Sequence, residues 1–444
     1  MRRIVVLLLA SVVIAAASYM LAPASPDNAN ASRGESAFVA AGMAEPIGQA
    51  ERGEIERLIK AFELRIRQHT DPLDYKFLGR LYLDRARTTG DIASYASADA
   101  ALQKALAIVA TDPEALVLLG SVRYATHDFT TARDLGRRVY ATDGAQLGAL
   151  LLAGDAALEL GKYAEAADAY AALARALPGS GAVEARQSRL AFLRGDDRTA
   201  EELAARAEFD AASQGAFGAG LAWYAHLRAQ LAFDRGDYVA SESHERRALA
   251  IAPDYHVALA GLGRALAAEA RTADALAAYE RAIAIVPQPD YLAAAGDLAA
   301  RSGDSTRAEK AYATIDAIAS LASEQARLYD RQLALFDVDH GRSPDRALQI
   351  ASASLTARPD VYGFDAYAWA LYANGRYAEA RTASDRARVL GTLDARLLYH
   401  AGMISVALGD AARARGELTR ALALSPWFDP LQAGRARATL VALP

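Results

Sequence analysis

A spacing of 34 residues recurs along this chain and restricts it to an array of like units. Small residues and prolines keep the same relative positions in successive copies, which chance does not produce three at a time. The matched positions are Ala248 and Pro253 with Ala282 and Pro287, and Gly375, Ala380 and Ala387 with Gly409, Ala414 and Ala421. The length of 444 residues exceeds that of most compact single domains and agrees with an elongated array.

Each unit has the pattern of two helices joined at a glycine. In LELGKYAEAADAYAALARALPG, Gly161 supplies the turn, Tyr163 follows it, and Pro178 ends the second helix. Small residues in the middle of both helices predict that the helix backbones approach closely. They are Gly120, Gly154, Gly263, Gly296 and Gly402 in the first helices, and Ala132, Ala166, Ala275, Ala308, Ala380 and Ala414 in the second.

Further residues recur with this period. They are Leu119-Gly120, Leu262-Gly263, the turn Gly236-Asp237-Tyr238, the aromatic residues Tyr170, Tyr279 and Tyr312, and the closing prolines. Together these marks resemble the tetratricopeptide repeat family over about residues 72–428, or roughly ten repeats. The resemblance implies an all-α, right-handed superhelical solenoid of antiparallel helix pairs. The units are lengthened at 84–94, 206–224 and 316–346, where related helix-pair repeats are an alternative.

The two ends of the chain differ from the repeats. The start combines Arg2 and Arg3 with an apolar stretch and a small-residue cleavage site at Ala22-Pro23-Ala24. This pattern predicts an exported protein, periplasmic or extracellular, or one anchored to the membrane by an uncleaved segment. The predicted parts are a signal peptide or signal anchor at 1–24, a flexible linker at 25–50, an N-terminal capping helix at 51–71, the repeat array at 72–428, and a C-terminal capping helix at 429–444.

The charge and cysteine content exclude several kinds of function. The formal net charge is −5 and basic residues are interspersed with acidic ones, so we expect no nucleic-acid partner. The absence of cysteine excludes disulfides, thiolate metal sites and thiol nucleophiles. We expect contact with a membrane only through the possible N-terminal anchor.

No stretch of the sequence predicts an enzyme. His244-Glu245 begins like a zinc-protease motif, but Ala248 stands where the second histidine is required. The alternating acidic segment from Asp337 to Asp345 resembles a calcium loop without its twelfth ligand, so an inter-helix turn is the favoured interpretation. The seven histidines are scattered along the array. We therefore predict no catalytic residue, no metal and no cofactor.

The aromatic residues of the first helices are the candidate binding residues. In the family that the sequence resembles, first helices line a concave groove that holds peptides, and aromatic residues there are natural anchors. The predicted groove residues are Tyr124, Phe192, Trp223, Phe233, Phe336, Tyr362, Asp365, Trp369, Tyr372 and Tyr399. The alternative is that most of these aromatic side chains belong to the core. Trp369 and Tyr372, three residues apart and beside Asp365, form the first-choice contact patch.

These observations favour a non-enzymatic scaffold that holds a protein or peptide of unknown identity in its groove. A carboxylate clamp of the chaperone-tail type is disfavoured because Asn374, in a turn, is the only asparagine of the repeats. A structural component of the cell envelope, acting through its ends or by self-association, is an alternative. A small-ligand or metal-dependent enzyme would need a convergent polar site that the sequence does not reveal.

Overall fold

The computed structural model describes residues 49–320 and 327–444. Within these residues it contains 22 α-helices, a 3-10 helix at Arg327–Tyr329 and no β-strand. The helices as far as residue 251 are α1 (Gln49–Gln68), α2 (Pro72–Thr89), α3 (Ala93–Ile108), α4 (Pro113–Ala125), α5 (Phe129–Thr142), α6 (Leu147–Glu159), α7 (Tyr163–Ala176), α8 (Gly181–Leu193), α9 (Asp197–Ser213), α10 (Gly218–Asp234) and α11 (Tyr238–Ile251). The remaining helices are α12 (His256–Ala268), α13 (Thr272–Ile285), α14 (Pro289–Arg301), α15 (Ser305–Ser320), α16 (Asp330–Asp339), α17 (Pro344–Ala357), α18 (Val361–Ala373), α19 (Tyr377–Ala387), α20 (Ala395–Ala407), α21 (Ala411–Leu424) and α22 (Gln432–Ala442).

Twenty of these helices form ten consecutive antiparallel pairs, from α2–α3 to α20–α21. The helix pairs confirm the predicted all-α solenoid of about ten repeats. The additional helices α1 and α22 pack at the two ends, against α2 and α21. The predicted signal segment at 1–24, and residues 25–48 of the predicted linker, lie outside the described residues. Among the helices of the two described ranges, none combines the length and the apolar character needed to cross a membrane.

The glycine-aspartate turns explain how many second helices begin. At the start of α11, Gly236 adopts a left-handed backbone with φ of +76°, which an L side chain would strain. Asp237 then caps the helix, because its carboxylate accepts a hydrogen bond of 3.0 Å from the Ala240 amide. Gly195-Asp196 and Gly409-Asp410 repeat this geometry before α9 and α21. The recurring dipeptide is therefore both a turn and a helix cap.

The small residues predicted to lie between helices do so. A Cβ atom on Gly263 would lie 2.9 Å from the ring of Tyr279, sixteen residues later in the partner helix. The same offset joins Gly154 to Tyr170, Gly296 to Tyr312, and Gly402 to Leu418. Glycine in the first helix thus makes room for a large side chain of the second, which explains why the two types recur in register.

The array winds back onto itself after six pairs. The Val361 amide donates to the Tyr163 hydroxyl at 2.9 Å, and the Thr392 hydroxyl donates to the Leu193 carbonyl at 2.6 Å. The Ser425 hydroxyl donates to the Phe233 carbonyl at 3.2 Å. Each bond joins the turn between the two helices of one pair to the start of the pair that lies six positions later in the array. For Ser425, the element six positions later is the end helix α22. Successive turns of the superhelix are therefore in direct contact.

Glycine is required where these turns touch. A Cβ atom on Gly195 would lie 2.5 Å from the Gly391 carbonyl oxygen, and one on Gly161 would lie 2.5 Å from the Pro359 carbonyl oxygen. Gly90 in the first pair faces Val286, close to the beginning of the seventh pair. The same spacing of six pairs thus holds along the array, and it closes the concave side into an inner space.

Replacing Gly195 with Ala tests this closure. The left-handed backbone at φ of +73° should cost about 1 kcal/mol, and the clash with Gly391 about 1–2 kcal/mol more. The control Gly409→Ala has the same strain at φ of +76° but open space at its Cβ. We expect urea unfolding to show a larger loss of stability for Gly195→Ala than for the control. Equal losses would argue against contact between superhelical turns.

Candidate functional site

The space enclosed by the superhelix contains a polar cavity of about 360 Å³, which we call the chamber. Its wall is built from the first helices of seven successive pairs, α8 to α20, together with Ser425 and Phe428. The side chains that line it include the amides of Gln230 and Gln332. Its charged side chains are Arg189, Asp234, Arg264, Asp290, Arg331, Asp365, Asp394 and Arg396. The chamber therefore carries four positive and four negative groups.

Two arginines of the chamber have no carboxylate within ion-pair distance among the described residues. The Arg264 guanidinium lies 3.9 Å from the centroid of the Phe233 ring, and that of Arg189 lies 5.3 Å from that of Tyr362. Arg189 lies deep within the protein. Its side chain is nevertheless uncovered, because it faces the solvent inside the chamber. Both guanidinium groups therefore lie within cation–π distance of an aromatic ring.

Three aspartates of the chamber, Asp234, Asp290 and Asp394, have no cationic partner within ion-pair distance in the described part of the chain. Burial raises the pKa of Asp234 to about 6; the charge of Arg264 opposes the rise and that of Asp394 adds to it. Burial also raises the pKa of Asp290, which opens into the same space. Arg331 and Asp365 are different, since they pair with Asp360 and His400.

The ionisation of Asp234 should lower stability at neutral pH. With a folded pKa of about 6 and an unfolded value of about 3.9, the unfolded state ionises first as pH rises, and stability falls between about pH 4 and 6. Asp234→Asn should match the wild type near pH 4 and be more stable by about 1–3 kcal/mol at pH 7. Urea unfolding at both pH values checks this, with Asp254→Asn at an exposed position as control. The same difference at both pH values would contradict it.

A second cavity, of about 350 Å³, is lined by Trp369 and Tyr372 of the predicted contact patch. It lies between the α16–α17 turn, α18, α20 and α22, and we call it the aromatic cleft. The side chains that define it are Val338, Arg342, Trp369, Tyr372, Tyr399, Met403 and Arg435. Arg435 is exposed at its edge and donates to the Asp339 carbonyl at 3.0 Å, whereas Arg342 pairs with Asp316.

The wall of the aromatic cleft is a buried polar and aromatic network. Trp369 stacks against Tyr372 with ring centroids 4.6 Å apart, and against His400 at 4.2 Å. Its Nε1 donates to Asp339 at 2.8 Å, and Gln432 donates to the same oxygen at 2.7 Å. His400 Nδ1 lies 2.9 Å from Asp365, which fits a ring that carries its proton on Nδ1. This network connects the cleft to the wall of the chamber.

The structure corrects the interpretation of several predicted groove residues. The side chains that it buries are Phe192, Phe233, Phe336, Asp365, Trp369 and Tyr399. They cannot act as exposed anchors, because the interlocked first helices and the closed superhelix cover them. Tyr124, Trp223, Tyr362 and Tyr372 are partly buried. Of the predicted residues, Phe233, Tyr362 and Asp365 line the chamber, and Trp369, Tyr372 and Tyr399 line the aromatic cleft.

Sequence reasoning missed the buried carboxylates that join neighbouring repeats. Asp155 of α6 accepts from the Tyr170 hydroxyl of α7 at 2.7 Å and from Arg186 of α8 at 3.0 Å. Asp297 repeats this arrangement with the Tyr312 hydroxyl at 2.7 Å and His340 at 2.7 Å. The sequence contained a pattern that indicates these carboxylates, since both aspartates follow a mid-helix glycine and both precede a tyrosine by fifteen residues.

The segment from Asp337 to Asp345, which resembles a calcium loop, has a structural role in this fold. Both carboxylate oxygens of Asp337, which is fully buried, accept from Arg346, at 2.8 and 2.5 Å. The Asp337 carboxylate, which would be the first calcium ligand of such a loop, is therefore already paired with Arg346. In the described ranges, no group of three or more histidine, aspartate or glutamate side chains is arranged to hold a metal ion.

The residues that carry the family resemblance occupy the positions that it implies: glycine against the partner helix, glycine-aspartate at the turn, and tyrosine in the second helix. The chain is an all-α solenoid of antiparallel helix pairs, and its repeat resembles that of the tetratricopeptide family. No protein-family model and no curated protein matches the sequence.

The solved structures that are similar to this chain include the following three. A tetratricopeptide repeat protein from Parabacteroides merdae is 16% identical over 59% of this chain and 97% of its own, with a TM-score of 0.32. A human IFIT1 dimer with PPP-AAAA is 12% identical over 85% and 95%, with a TM-score of 0.45. Yeast Tom70 is 13% identical over 94% and 97%, with a TM-score of 0.35. The likeness concerns the helical fold alone.

Proposed function

We propose that this tetratricopeptide-type solenoid is a non-enzymatic scaffold that binds a protein or peptide outside the cytoplasmic membrane. The observation that carries the proposal is the aromatic cleft, an apolar cavity bordered by the exposed Arg435. Apolar cavities with a few polar groups at the edge suit an inserted side chain. The expected ligand is a peptide segment that places an apolar or aromatic side chain against Tyr372 and a carboxylate against Arg435.

The location outside the membrane rests on the charged and apolar pattern of residues 1–24. Cell fractionation and sequencing of the N-terminus of the mature protein test it. A protein found in the cytoplasm with its first 24 residues intact would contradict the proposal of export.

Tyr372→Ala tests the aromatic cleft as the binding site. Partners should first be captured by the wild-type chain from the envelope fraction and identified, and their affinities then measured with purified proteins. Loss of a half-buried aromatic anchor should weaken binding by about 30-fold, corresponding to about 2 kcal/mol. Tyr372 is the right choice because Trp369 is buried, so its removal would disturb the fold as well.

Phe209→Ala is the matched control for this experiment. Phe209 is an aromatic residue of α9, is 73% exposed, and does not line the cleft. It should leave the affinity unchanged. Equal affinities for wild type and Tyr372→Ala, with an intact circular-dichroism spectrum, would exclude the cleft as the contact.

A structural role through the ends of the array is a second candidate. Helices α1 and α2 at the N-terminal end of the array expose apolar side chains, with Leu64 at 56%, Leu73 at 50% and Phe77 at 38%. Phe77 stacks on Phe62 of α1 at 5.6 Å. Light scattering over a range of concentrations separates the candidates: assembly that Leu64→Lys abolishes favours this role, and a monomer throughout excludes self-association.

A further inference from the structure

We propose that the chamber is a binding site for a short peptide that carries both a free ammonium and a free carboxylate group. This site lies inside the superhelix, apart from the aromatic cleft. The proposal rests on the unpaired charges of the chamber wall and does not depend on the protein-binding function proposed above.

The charges of the chamber that lack an ion-pair partner have both signs. Arg189 and Arg264 have no carboxylate within 4.0 Å, and Asp234 and Asp290 have no cation within 4.0 Å, in the ranges that the structure describes. Asp394 is a third such aspartate, but its carboxylate already caps α20 by accepting from the amides of Arg396 and Leu397. A simple anion would gain from the arginines but meet the repulsion of the aspartates. A simple cation would gain from the aspartates but meet the repulsion of the arginines. A zwitterion pairs with both kinds of group, which favours it over a ligand of one charge.

The arginines are held in place before any ligand arrives. The Arg264 guanidinium lies over the Phe233 ring, and that of Arg189 lies 5.6 Å from the centroid of the Phe192 ring and 5.3 Å from that of Tyr362. A guanidinium fixed in this way loses little freedom when it forms a bidentate pair with a carboxylate. These two side chains are therefore the expected carboxylate ligands.

The neutral groups of the chamber favour a peptide over other zwitterions. The side-chain amides of Gln230 and Gln332 line the cavity and form no hydrogen bond with any described residue. Each offers a donor and an acceptor, which is what a peptide group requires. The volume of 360 Å³ is at the lower end of the range for small-ligand sites, which suits a peptide of a few residues.

Triglycine is a suitable probe because it has both charges, peptide groups and no side chains. We expect it to bind the full chain with a stoichiometry of one in isothermal titration calorimetry. N-acetyl-triglycine lacks the ammonium group and triglycine amide lacks the carboxylate, so each should bind on the order of 10-fold more weakly or worse. Absence of triglycine binding, or equal affinity for all three probes, would overturn the proposal.

Arg264→Gln tests the chamber as the location of this binding. The variant should weaken triglycine binding by on the order of 10-fold or more, and Arg189→Gln should do the same, so the test does not depend on one variant folding. Arg420→Gln is the control, because Arg420 is exposed on the second helix α21, forms no ion pair with a carboxylate of residues 49–320 or 327–444, and does not line the chamber. Wild-type affinity in folded Arg264→Gln and Arg189→Gln, or equal weakening in the control, would overturn the assignment.

Discussion

Replacing Arg186 with Met is expected to lower the free energy of unfolding by about 3–5 kcal/mol. Asp155 is almost completely buried, and its carboxylate depends on Arg186 for charge compensation. Burial raises the pKa of Asp155, while Arg186 and the Tyr170 hydroxyl oppose the rise. Methionine has a similar length but no charge, so it leaves a buried carboxylate with one hydrogen-bond partner. Urea unfolding followed by circular dichroism at pH 7 measures the loss.

The double variant Asp155→Asn with Arg186→Met is the control for this prediction. Removing both charges removes the unpaired ion, so the double variant should recover a large part of the lost stability. A loss below about 1 kcal/mol in the single variant would show that solvent already compensates Asp155. Because Asp155 and Arg186 belong to consecutive pairs, the result also measures how strongly the third pair is joined to the fourth.

Replacing Trp369 with Ala should cost about 3–5 kcal/mol, the range for removal of a large buried side chain. Trp369 is 3% exposed and stacks between Tyr372 and His400. Its truncation leaves a cavity in the wall between the cleft and the chamber, and it removes the hydrogen bond to Asp339. Thermal and urea unfolding should both show the loss.

Trp369→Phe separates the contribution of ring packing to stability from that of the hydrogen bond to Asp339. Phenylalanine keeps an aromatic ring in the stack but cannot donate to Asp339, so we expect a loss of about 1–2 kcal/mol. Asp339 would keep the bond from Gln432 at 2.7 Å. A small effect of Trp369→Ala, within about 0.5 kcal/mol, would be the behaviour of a surface residue and would contradict the buried position.

The closed superhelix changes where this protein can meet a ligand. An open groove would present its first-helix aromatic residues to a long peptide. Here the turns at Gly161 and Gly195 touch the segments at Pro359 and Gly391, so the inner surface becomes a chamber. A macromolecular partner is then expected at surfaces that remain open, such as the aromatic cleft, and a small molecule inside.

The local repeat could be predicted from the sequence in considerable detail. Gly236-Asp237 marks a turn and a cap because left-handed backbone and capping are properties of single residues. Gly263 and Tyr279 indicate close helices because their spacing is fixed within one pair. The tyrosines that stand fifteen residues after the aspartates of Gly154-Asp155 and Gly296-Asp297 also indicated that these carboxylates are buried.

The candidate sites could not be predicted in the same way. Trp369 and Phe233 have the helical spacing of groove residues, yet both are buried, because spacing shows which face of a helix a residue occupies but not what covers that face. Tyr372 of the predicted contact patch lines the aromatic cleft. Arg435 was not predicted, since it reaches the cleft from an end helix.

The sequence by itself determined the helix pairs, their number and the glycine-aspartate turns, since these depend on interactions within about one repeat. Only the tertiary structure decided that the array closes after six pairs. That closure depends on the small rotation from each pair to the next, which accumulates along the array and brings Tyr163 to Val361, 198 residues away. The chamber and its unpaired charges follow from this accumulated geometry, which no short pattern of residues specifies.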